Sequence, residues 1–331
     1  MKKTIIASLL LMIAVMVLPF FISSFTMYML TEVLIMGIFA MSLGLIMGYG
    51  GLQSLGHSAF FGIGAYAVAV LSEKETSIYI LLPAAILISC LFAFLTGLIA
   101  LRNKGIFFLM ITLAVTQMLF LLFRQTDLWG GADGLGVSIK PDLGFIQLIS
   151  PLSLFYFIGI IFVVTYLFLR LYVNSPLGKG LKGVMENESR MVALGYHVKK
   201  YQMIVYVIAG GLAGLAGGLY VYKTQFVSPE IYSVHMATTV MIMCFIGGLG
   251  TLFGPVIGAG VFIFLQNYVS TMTDRWSLIM GILFVVIVLI NKGGIFHLLQ
   301  TIWNKIIPKK KLTTKQKGAG VIELNESGEA K

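Results

Sequence analysis

Residues 50–55 read GGLQSL and interrupt the middle of an uncharged stretch, residues 33–72, that holds no Asp, Glu, Lys or Arg. A second such stretch, residues 231–273, is interrupted by GGLGTL at residues 247–252, and five of six positions match when Ser and Thr count as alike. Each stretch is long enough for two membrane crossings of roughly 20 residues. Because glycine weakens a helix, both strings predict a broken or re-entrant helix.

Matched glycine interruptions in two parts of a chain point to a transport site. Broken backbone survives in lipid only where protein or a watery cavity satisfies its polar groups. Small residues also suit close packing between helices, and that alternative stays open. The candidate pathway residues lie in and after the two strings: Gly51, Ser54, His57, Phe60, Tyr66, Gly248 and Thr251.

The composition indicates an integral membrane protein. Of 331 residues, 58% are hydrophobic and 11% are charged, against roughly 25% charged residues in soluble domains. Two cysteines, Cys90 and Cys244, both in apolar runs, exclude a disulfide scaffold. The net charge of +10 does not indicate a nucleic-acid partner, because the charges form short clusters between apolar runs, as topology signals do.

The uncharged stretches predict an all-α polytopic membrane protein with about ten transmembrane helices. The two interrupted stretches suit two crossings each, and six others suit one each. The six are residues 4–31, 76–101, 105–123, 143–169, 201–222 and 276–291. The first has no small-residue cleavage pattern, so we expect it to be retained as a helix. Residues 1–303 then form the membrane domain, and residues 304–331 form a charged, disordered tail that anionic inner-leaflet lipids could attract.

The basic residues predict the orientation of the chain. Ten crossings place both ends on one side, and the segments on that side, up to Lys292, hold 11 Lys and Arg against 5 in the segments opposite. Positively charged loops stay in the cytoplasm. We therefore predict that both ends and residues 174–200 are cytoplasmic, and that residues 124–142 are outside.

Few ionisable residues stand within the predicted crossings. Glu32 is the only acidic one, and we expect it to reach interfacial water at the outer end of the second helix. His57 is either a hydrogen-bonded residue at a helix contact or a residue of a pathway or gate. No two histidines have metal-ligand spacing, so no metal site is expected. The scarcity of such groups disfavours an ion-coupled carrier and an intramembrane enzyme.

The longest predicted cytoplasmic loop, residues 174–200, contains the signals of two short helices. Pro176 starts the first, Asn187 can cap a second over residues 188–194, and Gly195 is the expected stop with a positive φ. The first carries an apolar stripe of Leu177, Leu181, Val184 and Met185. The two helices either lie on the membrane surface or dock a cytoplasmic partner.

Five motifs resemble those of branched-chain amino-acid ABC transporter permeases. Residues 52–66 read LQSLGHSAFFGIGAY, 129–135 read WGGADGL, 186–195 read ENESRMVALG, 226–229 read FVSP and 247–255 read GGLGTLFGP. They fall within residues 33–265 in the order that the family has. The family usually has small residues where Arg190 and Met191 stand here.

The resemblance implies the membrane subunit of an ATP-driven importer in a bacterial-type cell membrane. The implied partners are a second permease subunit (a paralogue or a copy), two cytoplasmic ATP-binding subunits and an extracytoplasmic amino-acid-binding protein. The chain has no G-x-x-x-x-G-K-[ST] phosphate loop, so we expect no cofactor and no catalytic residue in it. The implied ATPase-coupling residues are Glu186, Glu188, Val192, Ala193, Leu194 and Gly195, and the candidates for docking the binding protein are Trp129 and Asp133.

The expected cargo is leucine, isoleucine or valine. Related permeases for a simple sugar, urea or a short amide would share this architecture, so those solutes stay open. In this class of transporter the binding protein does most of the selecting, which leaves the substrate's side chain unspecified by the membrane subunit.

Overall fold

The computed structural model describes residues 23–74, 77–138, 150–273, 275–279, 281–282 and 285, and most of these residues are helical. The helices are α1 (Ser24–Gly50), α2 (His57–Leu71), α3 (Ile78–Ala100), α4 (Ile106–Gln125), α5 (Pro151–Asn174), α6 (Pro176–Glu186), α7 (Glu188–Ala193), α8 (Val198–Thr224), α9 (Val234–Gly247) and α10 (Gly254–Ser270). By length and composition, α1, α3, α4, α5 and α8 could each cross a membrane. The all-α polytopic prediction is therefore confirmed for the described residues.

Two of the long helices form the centre of the bundle. Most residues of α1 and α8 are buried, and α8 packs against α1, α2 and α3. The helices α3, α4 and α5 instead turn large apolar side chains outward, among them Leu91, Phe107 and Leu171. Exposed apolar faces of this kind suit contact with lipid tails, so these three helices form the periphery.

Short segments close the two ends of the bundle. At one end, β1 (Leu135–Gly136) pairs antiparallel with β2 (Phe226–Val227), beside a 3-10 turn over Pro229–Tyr232. At the other end lie α6 and α7, which follow α5 and precede α8. We name these the outer end and the inner end, after the predicted orientation.

One predicted helix boundary is wrong. The sequence assigned residues 24–31 to the first crossing and placed Glu32 near the outer end of the second, but α1 runs without interruption from Ser24 to Gly50. It begins at Ser23, whose side-chain Oγ accepts a hydrogen bond from the Thr26 amide at 3.3 Å. Glu32 lies within this helix, and its carboxylate is paired with Lys223 of the neighbouring helix α8.

The number of crossings stays a prediction. Most of the first predicted crossing, residues 4–31, and most of the last, residues 276–291, lie outside the described residues, as does the charged tail at 304–331. Between them, the stretches predicted for single crossings match α3, α4, α5 and α8, although α5 begins only at Pro151. Each interrupted stretch contains parts of two helices, although α2, α9 and α10 have 15, 14 and 17 residues.

Candidate functional site

The first glycine string ends α1 and turns the chain into α2. Gly51 adopts a left-handed conformation with φ 67°, and the amide of Leu52 donates to the carbonyl of Ile46 at 3.2 Å. This geometry closes the helix with a glycine, the residue that adopts positive φ at no steric cost. Ser54 Oγ then accepts a hydrogen bond from the Gly56 amide at 3.2 Å, just before α2 begins.

The second string likewise ends one helix, α9, and leads the chain into the next, α10. Gly248 and Gly250 have φ values of 101° and 92°, and Thr251 Oγ1 accepts a hydrogen bond from the Gly254 amide at 3.1 Å. The Ser and Thr at matching positions therefore both hold the backbone amide at the start of the following helix. This shared role gives a physical reason for the sequence match.

The two breaks meet at the inner half of the bundle. A Cβ placed on Gly48 would lie 2.7 Å from the Gly250 amide nitrogen, and one on Gly44 would lie 2.8 Å from Pro255 Cγ. Only glycine allows so close an approach of the two backbones. The end of α1, just before the first string, therefore lies against the second string.

His57 and Phe60 pack in the interior of the bundle. The Nε2 atom of His57 lies 2.8 Å from Ser42 Oγ on α1, and its ring stacks on Phe39 with the centroids 5.6 Å apart. Phe60 meets Tyr206 edge to face. Of the two interpretations of His57, the hydrogen-bonded residue at a helix contact is the one whose geometry is present.

Tyr66 lies at the outer end within a cluster of rings. It packs against Phe123 at a centroid distance of 4.3 Å and against Tyr232 at 5.7 Å. Trp129 stacks on Phe123 at 4.9 Å, so two predicted site residues, one for the pathway and one for docking, are joined through one phenylalanine. Asp133 is exposed at the end of a 3-10 turn.

The inner end carries α6 and α7 as the sequence predicts. The side chain of Asn187 caps α7 by accepting from the Arg190 amide at 2.9 Å, and Gly195 has φ 84°. Leu181 and Val184 of the apolar stripe are buried, whereas its other two members are exposed. The α6 helix also touches the first break, because a Cβ on Gly51 would lie 3.0 Å from Met185 Cγ.

The residues after Glu188 form an exposed apolar edge. Val192 is 58% exposed and Leu194 is 65% exposed, while Ala193 and Gly195 are exposed as well. Glu186 is exposed, but Glu188 is already paired within the chain, with its Oε1 2.7 Å from Lys104 Nζ. The bridge ties the α3–α4 turn to α7, so Glu188 is less free to pair with a partner than the sequence suggested.

The sequence missed an ion pair inside the bundle. Lys223, in the last turn of α8, donates to Glu32 Oε2 at 2.5 Å, and its Nζ lies 3.8 Å from the ring centroid of Tyr28. The side chain of Lys223 is only 2% exposed. The sequence predicts that Glu32 reaches interfacial water, and its side chain is 33% exposed, but the pairing with Lys223 is not predicted. No local signal could have revealed the pair, because its members are 191 positions apart.

Comparison with known proteins gives this arrangement a family. The family described as "Branched-chain amino acid transport system / permease component" matches residues 25–288. The chain belongs to this permease family. It is 25% identical over 302 residues to the high-affinity branched-chain amino acid transport system permease protein LivM of Escherichia coli K12, covering 84% of this chain and 71% of that protein.

Of two further relatives, one is named for branched-chain amino acids and the other for ribose. The chain is 29% identical over 215 residues to the probable branched-chain amino acid transport permease protein LivH of Methanocaldococcus jannaschii, covering 59% of this chain and 64% of that protein. It is 26% identical over 215 residues to the ribose import permease protein RbsC of Haemophilus influenzae, covering 62% and 64%. No solved structure matches the chain.

Proposed function

We propose that this permease moves leucine, isoleucine or valine across the cell membrane as one membrane subunit of an ATP-driven importer. The observation that carries the proposal is the family match over residues 25–288. The relative LivM, which is named for branched-chain amino acid transport, supports this choice of cargo. The second permease subunit is a paralogue or a second copy. A binding protein outside delivers the amino acid, and two ATP-binding subunits inside bind the nucleotide, so this chain needs no cofactor of its own.

The ATP-binding subunits dock on α6 and α7 in this proposal. The exposed Val192 and Leu194 supply the apolar anchor that helix-in-groove docking needs, and the exposed Glu186 can pair with a basic residue. Since Met185 on α6 lies against Gly51, a displacement of α6 would move the first break directly. That movement would pass to the second break through the close contact between Gly48 and Gly250.

Ribose import is the second candidate function, because a ribose permease is among the relatives. Labelled leucine and labelled ribose separate the two. The chain is expressed with its partner permease, ATP-binding subunits and binding protein in cells that lack uptake of both solutes. We expect leucine to accumulate only when this chain is present. Accumulation of ribose without leucine would transfer the function to sugar import.

A further inference from the structure

A cavity of about 200 Å³ lies toward the outer end, between α1, α8, α9 and α10. Its polar lining includes Glu32, Thr239 and Gln266, and its apolar lining includes Met36, Met243 and Ile263. At roughly 30 Å³ of liquid volume per water molecule, this space suits one small solute rather than a peptide or an oligosaccharide.

Lys223 bonds one oxygen of the Glu32 carboxylate, and the carboxylate stays accessible from the cavity. Its side chain is 33% exposed and lines the cavity, whereas Lys223, bonded to Oε2, is sealed at 2% exposure. An ionised carboxylate has about four lone-pair sites, so one bond from Lys223 leaves Glu32 able to accept more. A cationic group in the cavity would find a fixed acceptor there.

The rest of the lining separates into two chemical parts. Thr239, Gln266 and His235 can donate hydrogen bonds to a carboxylate, while Met36, Met243 and Ile263 offer apolar contact. Methionine side chains are flexible and adapt to different shapes, which suits aliphatic groups that branch at different carbons. A sugar, polar on every side, would leave hydroxyl groups unpaired against the apolar part, and that is costly.

We propose that this cavity is an outer solute site, in which Glu32 binds the α-ammonium group of a branched-chain amino acid and the methionines and Ile263 receive its side chain. The proposal rests on the proposed function and adds to it a place and a set of contacts. It also makes Lys223 and Tyr28 positioning residues that do not touch the solute: Lys223 bonds the carboxylate, and the Tyr28 ring packs against Lys223.

The cavity lies next to the second break. Met243 stands one turn before Gly247, where α9 ends, and Gly258 of α10 packs against the Met243 carbonyl. A solute that contacts Met243 therefore lies against the helix whose end forms the break. This position places the site before the break on a path from outside to inside.

Protection of a cysteine tests occupancy directly. Met236 lines the cavity but has no assigned contact with the solute, so Met236→Cys is made in the complete complex with Cys90 and Cys244 replaced by Ala. A small thiol reagent is added with or without leucine or ribose. We expect leucine, and not ribose, to slow the labelling about tenfold or more. Ser270→Cys, exposed at the end of α10, is the control and should label equally in all three conditions. Equal labelling of Met236→Cys with and without leucine overturns the proposal.

A pair of variants separates binding by Glu32 from a merely structural ion pair. Glu32→Gln leaves Lys223 without its counter-ion, so its defect alone could be a folding defect. The double variant Glu32→Gln with Lys223→Met removes both charges. If Glu32 binds the solute, both variants should move about tenfold less leucine per ATP hydrolysed, the size expected from losing a hydrogen bond to a charged group. Full recovery in the double variant would make the pair structural and overturn the proposal.

Glu230→Gln is the matched control for these variants. Glu230 is an exposed carboxylate in the 3-10 turn at the outer end, and its variant should transport leucine like the parent. Leucine uptake by the parent complex separates a failure of the outer site from a failure of the proposed function. If the parent complex moves leucine but leucine does not protect Met236→Cys, the outer site alone is refuted; if the parent complex moves no leucine, the proposed function fails as well.

Discussion

Gly51 has the strictest local requirement in the first break. Its φ of 67° lies in a region that costs other residues roughly 1–2 kcal/mol, and a Cβ would lie 3.0 Å from Met185 Cγ. We expect Gly51→Val to lower leucine uptake about tenfold or more, because a β-branched side chain resists this conformation and displaces α6. Uptake is measured together with the amount of the chain in the membrane fraction, which should not change.

The neighbouring glycine provides the control. A Cβ on Gly50 would lie at ordinary distances of 3.8 Å from Leu181 Cδ1 and Val205 Cγ1, and its φ is not positive. Gly50→Ala should therefore keep most of the uptake. Gly248→Val, at a φ of 101°, should behave like Gly51→Val. Undiminished uptake by both Val variants would show that the two strings serve only the close packing of helices.

At the scale of elements, α7 and the turn after it form the surface that should receive the ATP-binding subunit. Leu194 is 65% exposed, and truncating a central apolar anchor costs about 1–3 kcal/mol, which is tenfold or more in affinity. We expect Leu194→Ala to lose co-purification of the ATP-binding subunit and to lose substrate-stimulated ATP hydrolysis in vesicles. The loaded binding protein should still bind at the outer end.

Leu171→Ala is the control for that truncation, since Leu171 is the same residue type, 72% exposed on the periphery of α5. It should retain both the ATP-binding subunit and the stimulation. If Leu194→Ala behaves like this control, coupling belongs to another inner segment. The turn that carries Lys104 would then be examined next, because Lys104 pairs with α7.

The Lys104–Glu188 bridge should contribute little to stability. Its side chains are 68% and 34% exposed, and ion pairs at such surfaces are worth about 0–1 kcal/mol. We expect Glu188→Gln to change the free energy of unfolding by less than about 1 kcal/mol in a detergent denaturation assay, with less difference still at high salt. A larger loss would show that the bridge fixes α7 against the bundle.

Local signals explain which elements the sequence could predict. Asn187 and Gly195 act on residues within one turn of themselves, so the cap and the stop of α7 could be predicted from the residues alone. The pairing of Glu32 with Lys223 could not, because Lys223 reaches Glu32 only when α8 packs beside α1. The outer cavity was missed for the same reason, since four separate helices line it.

At the scale of the whole molecule, α8 separates the two ends. Its 27 residues, at about 1.5 Å per residue, span roughly 40 Å, which exceeds the ~30 Å hydrocarbon core of a bilayer. Its start follows α7, and its end leads into β2, which pairs with β1. The segments that the charge bias assigned to opposite sides therefore lie at opposite ends. The charge bias decides during insertion which of the two ends faces the cytoplasm.

That orientation is the remaining prediction about the molecule, and single cysteines decide it. Ser189 on α7 and Asp133 beside β1 are both exposed, and 11 basic residues against 5 favour the α7 end as cytoplasmic. In intact cells, an impermeant thiol reagent should label Asp133→Cys and leave Ser189→Cys unlabelled until the membrane is opened. The parent chain gives the background from Cys90 and Cys244. Labelling of Ser189→Cys from outside would invert the assignment and place the proposed ATPase surface on the wrong side.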